Sequence, residues 1–180
     1  MDRNNIKILE TERLVLRKLE IKDAEEIFKN WTSDDDVSKY TSWETHKSVE
    51  DTIKWLSEVV KNYDDSMKYD WGITLKDTGE LIGSIGAYLK ENEDNRYEPG
   101  YCLSKKYWRN GYATESLKAV LDYLINEKGI KKFVCEHAKD NPASGRVMKK
   151  VGFKYVKDSV FENLNKTKRF ESKKYYLDIE

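Results

Sequence analysis

Apolar and charged residues alternate from Thr11 to Lys18, a period of two that predicts a half-buried strand. A helical period follows from about Lys22 to Trp31. A second helix is clearest over Ser48 to Tyr63, where Val49, Ile53, Leu56, Val59 and Val60 share one face. Between the two, Val37 to Thr45 is aromatic and fits neither period. Residues 71–75 and 81–88 read as a hairpin turned at Lys76-Asp77-Thr78-Gly79, and Tyr97 to Leu103 as the next strand. Leu117, Val120, Leu121, Leu124 and Ile125 then recur at helical spacing up to about Glu127, with Gly129 as the stop. Lys131 to His137 is a strand and Pro142 to Lys150 a helix. Phe153 to Phe161 and Arg169 to Ile179 form a final hairpin across Asn163-Leu164-Asn165. This order is α+β with a mixed sheet. A right-handed crossover through the long helix lays Tyr101-Cys102-Leu103 and Phe133-Val134-Cys135 parallel and adjacent. No repeat, low-complexity tract or linker interrupts the chain, so residues 1–180 are expected to form one domain.

Composition narrows the class. The chain has 180 residues, with 33 Lys and Arg balanced by 33 Asp and Glu. No global field gathers or repels polyanions, so nucleic acid is not an expected partner. A charged fraction of 37% would suit a disordered chain, but five Trp and twelve Tyr supply core material. The N-terminus lacks an apolar signal region, and no stretch approaches the ~20 apolar residues of a membrane span. A cytoplasmic protein without membrane attachment is expected. Cys102 and Cys135 lie in strand-like runs without ligand-spaced partners, which argues against a disulfide framework and against a metal site.

Two segments carry candidate chemistry. In Trp108-Arg109-Asn110-Gly111-Tyr112-Ala113-Thr114-Glu115 a polar, glycine-containing turn runs from a strand straight into the long helix. The free N–H groups and positive dipole end of such a helix start favour phosphate. Gly111 removes the side chain that would keep a pyrophosphate off the backbone, and small Ala113 allows close approach. A plain helix start would also explain this loop. A second segment about thirty residues on, Asn141 to Phe153, has Asn141 as N-cap, Pro142 at the first helical position, Val147, Met148 and Val151 as a buried stripe, and Gly152 as stop.

Taken together, the Y-W-x-x-G-Y-A-T-E loop, a strand, and N-x-x-S-x-R-V-x-x-K-x-G-F resemble the GNAT superfamily of acyl-CoA-dependent N-acetyltransferases, and most nearly its ribosomal-protein N-terminal acetyltransferases. Glu10 to Arg17 resembles the first strand of that branch. Arg109 and Ser116 stand where small residues are common, Gly145 where an apolar one is, and Lys149 where an acid is. Gly145 is the oddest, because glycine in a helix costs about 0.5 to 1 kcal/mol against alanine.

The resemblance implies a mixed, mostly antiparallel seven-stranded sheet flanked by about four helices, with splayed central parallel strands. It implies acetyl-CoA as cosubstrate, without a metal. Cys102 and Leu103 would meet the pantetheine arm and Arg109, Asn110, Gly111, Tyr112, Ala113 and Thr114 the pyrophosphate, while Asn141 is cap alone or cap plus a CoA contact. Transfer by direct attack in a ternary complex needs a proton acceptor for the amine and a donor for the leaving thiolate. Glu136 stands at the offset from Asn141 where some members carry their glutamate; a solvated strand-end acid is the other reading. His137 should turn to the opposite face, and Glu98 is a further carboxylate. Where many members have a tyrosine donor this chain has Met148, which leaves Ser144 near the sulfur, or Ser144 only satisfying its own helix. Arg146, Lys149 and Lys150 either reach the 3′-phosphate or coat a helix. Asp34-Asp35-Asp36 either draws a cationic acceptor or is a solvated loop. The acceptor is a protein N-terminus, such as that of a ribosomal protein, or a small-molecule amine, and a homodimer fits this branch. A non-catalytic acyl-CoA sensor is the competing class. A nucleotide hydrolase is disfavoured because no Lys-Ser or Lys-Thr pair follows Gly111.

Overall fold

The alternation at the start of the chain folds as strand β2 (Leu14–Arg17), paired with a two-residue β1 (Leu9–Glu10). The computed structural model describes residues 6–180. The other strands are β3 (Lys68–Leu75), β4 (Leu81–Lys90), β5 (Arg96–Leu103), β6 (Lys132–Ala138), β7 (Lys154–Glu162) and β8 (Arg169–Asp178). They form one sheet in the order β1-β2-β3-β4-β5-β6-β8-β7. Helices are α1 (Ala24–Ile27), α2 (Asp35–Ser38), α3 (Val49–Lys61), α4 (Tyr112–Asn126) and α5 (Pro142–Lys150). The architecture is the one expected. The eighth strand is the short β1, and α2 is a single turn that runs from the acidic stretch into the start of the segment that fits neither period. Among the described residues no helix is long and apolar enough to cross a membrane.

Every neighbouring pair is antiparallel except β5 and β6, which are parallel and register only at Tyr97 and Phe133. Beyond that point the two strands part. Pro99 explains part of this, since a proline has no N–H to give a neighbour and belongs where a strand is locally an edge. On one face of the sheet Tyr123 of α4 packs against Trp71 and Tyr69, and α5 lies over His137. The other face receives Leu19 and Tyr63 beside Gly72.

The face of α3 turned inward is not quite the apolar stripe. Leu56 and Val59 are buried, but Ile53 and Val60 are each 37% exposed, and Thr52 is buried in their place. Thr52 is tolerated there because its hydroxyl meets Thr32 Oγ1 at 2.9 Å and His46 Nδ1 at 2.8 Å.

Gly145 has a tertiary reason. A Cβ on it would lie 2.4 Å from His137 Nε2. The imidazole has nowhere to go: it is buried, its Nδ1 meets the Ala138 carbonyl at 2.7 Å, and it stacks on Tyr175 at 5.5 Å. Gly145→Ala should therefore lower stability by about 1–3 kcal/mol, as overpacking does, although helix propensity alone calls for a gain. Urea unfolding of the two proteins decides the sign.

Candidate active site

Strand β5 and helix α4 are joined by a loop whose backbone turns left-handed twice, at Arg109 (φ 63) and at Gly111 (φ 82), the N-cap of α4. Alternation of this kind makes successive N–H groups converge into an anion-binding hollow. Among the described residues the backbone N–H groups of 109–114 find no acceptor in the protein. A row of free donors at the start of a 15-residue helix suits a diphosphate.

The hollow is braced from the far end of the chain. Thr11 Oγ1 and the Arg13 backbone N–H donate to Glu115 Oε1 at 2.6 and 2.9 Å, and Arg13 Nε donates to Glu115 Oε2 at 2.7 Å. Arg13 Nη1 also donates to the Asn110 carbonyl at 3.0 Å, and its guanidinium lies 4.3 Å over the Tyr112 ring. Burial pushes the Glu115 carboxyl up, but the bonds from Thr11 and Arg13 outweigh it and leave the group below the ordinary carboxylate range. This clamp occupies the Asn110 carbonyl and holds the loop in place. Trp108 Nε1 donates to the Leu103 carbonyl at 2.9 Å, tying the loop back to β5.

The opening between β5 and β6 leads to this hollow. Main-chain groups of one residue in an antiparallel strand point the same way and alternate along it. The Ser104 N–H bonds the Ile82 carbonyl on the β4 side, so Leu103 and Tyr101 turn their main-chain groups toward the opening. Cys102 turns its main chain to β4, and its thiol, pushed up by burial, rests 3.5 Å from Ser84 Oγ. Leu103 thus offers the N–H that an extended amide chain or an oxyanion in the opening would meet.

Across the opening, Ser144 lies in the first turn of α5. Its Oγ is 3.0 Å and its carbonyl 3.2 Å from the Tyr101 hydroxyl. Tyr101 stands in β5, on the face that α5 covers, and burial raises its phenol far above the usual range, which keeps it protonated. Strand alternation counted back from Leu103 would have pointed to this residue; the sequence reading passed over it. Asn141 occupies the N-cap position, but its side chain makes no capping bond, so it remains available. Met148 is in the core at 3% exposed.

Glu136 projects from β6 on the opposite face of the sheet. It accepts a hydrogen bond from Ser172, and Lys174 Nζ stands 4.0 Å away. His137 faces α5, as alternation requires, and is enclosed there. Glu98 pairs with Lys90 at 3.2 Å. The acidic run is engaged within the protein: Asp34 caps α2 through the Asp36 N–H, Asp35 accepts from Thr45, and Asp36 pairs with Lys105 just before the loop into α4.

Residues 13–154 match the acetyltransferase (GNAT) domain family. The uncharacterized N-acetyltransferase YoaA of Bacillus subtilis (strain 168) is 37% identical over 81% of this chain and 82% of its own length. The crystal structure of a GNAT-family acetyltransferase from Bacillus anthracis superposes with a TM-score of 0.80 at 28% identity, covering 96% of this chain and 98% of that one. The structure of RimL, a ribosomal L7/L12 alpha-N-protein acetyltransferase, in complex with coenzyme A superposes with a TM-score of 0.83 at 18% identity, covering 96% of this chain and 98% of that one.

Proposed function

Because the chain belongs to the GNAT family of acetyltransferases and is thereby an acetyl-CoA-dependent enzyme, we propose that it transfers the acetyl group directly to a primary amine bound beside the opening between β5 and β6. The observation that carries this reading is the run of N–H groups from 109 to 114 that find no acceptor among the described residues, in the loop that leaves β5 beside that opening. The backbone of Arg109, Asn110, Gly111, Tyr112, Ala113 and Thr114 holds the pyrophosphate, and the Leu103 N–H faces the thioester end. Cys102 borders the opening from the other face, and the uncapped Asn141 side chain reaches the carrier.

On this reading the Ser144 hydroxyl meets the sulfur and delivers a proton to the departing thiolate. Tyr101 fixes it: when the phenol donates to Ser144 Oγ, the serine proton is left free to point into the cleft. Glu136, which accepts a hydrogen bond from Ser172 and stands 4.0 Å from Lys174 Nζ, lines the acceptor side of the opening. The acceptor is a protein N-terminal amine or a small-molecule amine, and the compartment is the cytoplasm.

A thiol-release assay with acetyl-CoA over a panel of amines tests the proposal: peptides with Ser or Ala N-termini, polyamines, aminoglycosides and free amino acids. Saturable CoA binding measured in parallel by calorimetry, together with thiol release for at least one amine, is the expected result. Binding without turnover for every amine would overturn it.

A further inference from the structure

Asp70, Gly86 and Gly100 are consecutive partners on β3, β4 and β5, so they form one row across the sheet on the face opposite Tyr101 and Ser144. Asp70 is 9% exposed, and its Oδ1 accepts a hydrogen bond from the Tyr88 hydroxyl. That bond lies over Gly86, where a Cβ would be 2.5 Å from Asp70 Oδ1 and 2.9 Å from the Tyr88 oxygen. The next place in the row is empty: a Cβ on Gly100 would have no neighbour within 4 Å. Tyr88 is 39% exposed, and Cys102, two places on from Gly100, is on the same face of β5, the strand that borders the opening.

A carboxylate buried against a phenol needs an explanation, since a strand gains nothing from aspartate and burying an unpaired charge is costly. Lys68 stands on β3 itself, Tyr63 follows α3, Tyr88 is on β4 and Cys102 on β5, and Glu98 beside Tyr88 is neutralised by Lys90. Among the described residues no arginine or lysine bonds Asp70. Burial pushes its carboxyl up to about 7, against the lowering by the Tyr88 bond and Lys68, so it exchanges protons near neutral pH.

Resting on the acetyl-transfer reading, we propose that Tyr88 and Asp70 form the proton relay that neutralises the bound acceptor ammonium before attack. The ammonium N–H bond breaks and its proton passes to the Tyr88 oxygen while the phenol proton passes to Asp70 Oδ1. The freed lone pair forms the C–N bond at the thioester carbonyl, and the C–S bond breaks. The thiolate takes up one proton, the amide nitrogen releases one, and Asp70 returns its proton to water. Tyr88 touches the substrate, and Asp70 acts through it.

The test compares the wild type with Asp70→Asn and Tyr88→Phe, using acetyl-CoA and the amine of the panel that is turned over fastest. Both variants should bind CoA as the wild type does. Below about pH 7 kcat/KM should be roughly 10²-fold or more lower in each variant. Above pH 7 the wild type, with Asp70 ionised, reaches a plateau, whereas the variants continue to rise with the fraction of neutral amine in solution. The ratio of wild type to variant should therefore shrink about tenfold per pH unit up to the amine's own pKa, ~8 for a terminus or ~10.4 for a lysine-like amine. A ratio independent of pH, or fully active variants, would overturn the relay alone. A wild type that acetylates no amine overturns the acetyl-transfer reading and the relay with it.

Discussion

Gly111→Val is expected to weaken CoA binding by at least about 10²-fold, equivalent to some 2.8 kcal/mol. The backbone there is left-handed, with φ of 82, and a β-branched residue is a true outlier in that region, at a cost of about 1–3 kcal/mol. Space is not the obstacle, since a Cβ would meet nothing closer than Arg13 Nη2 at 3.4 Å. The loop would relieve the strain by turning the peptide planes on either side, and those planes carry the N–H groups of 111 and 112. The valine side chain would also stand where phosphate must touch backbone. Gly79→Val is the matched control. It has a φ of 72 with nothing within 4 Å, in the turn between β3 and β4, so it suffers the same strain away from the cleft. It should lose stability while keeping CoA affinity. Calorimetric titration with CoA separates the two, and undiminished affinity in Gly111→Val would remove the cradle from the mechanism.

Ser144→Ala should lower kcat by about 10² to 10⁴ with CoA affinity preserved, the range for a lost general acid. A serine in a first helical turn usually serves its own helix, but this Oγ is engaged at 3.0 Å by a phenol from β5. Tyr101→Phe removes the group that orients the hydroxyl and leaves the hydroxyl itself, so its kcat should fall less, by roughly tenfold, the worth of about one hydrogen bond. Steady-state kinetics with acetyl-CoA, resolved into kcat and KM, check both. If Ser144→Ala is fully active, the hydroxyl belongs to α5 alone.

Much of this was legible in residue order. The periods of two and 3.6, the glycine and proline stops, and the loop-to-helix start at Gly111 depend on neighbours within a few positions, and they recovered the strands other than β1, the long helices and the loop that leads into α4. The stripe on α3 was misjudged at Thr52, because a hydroxyl counts as polar until its partners, Thr32 and His46, are known. Gly145 looked like a defect for a similar reason. Its cause is His137 on another element, held in place by Tyr175.

The amino-acid sequence by itself determined the element order, the crossover that lays β5 beside β6, and the run of amides that can grip a phosphate, because each follows from backbone preferences and short-range periodicity. Only the tertiary structure decided which side chains meet. Glu115 is clamped by Thr11 and Arg13, 104 and 102 positions away, Tyr101 reaches Ser144 across 43, and Asp70 reaches Tyr88 across 18. Such contacts depend on strand register and on how far two strands part. Those are properties of the packed sheet, where one residue of slip turns every side chain to the other face.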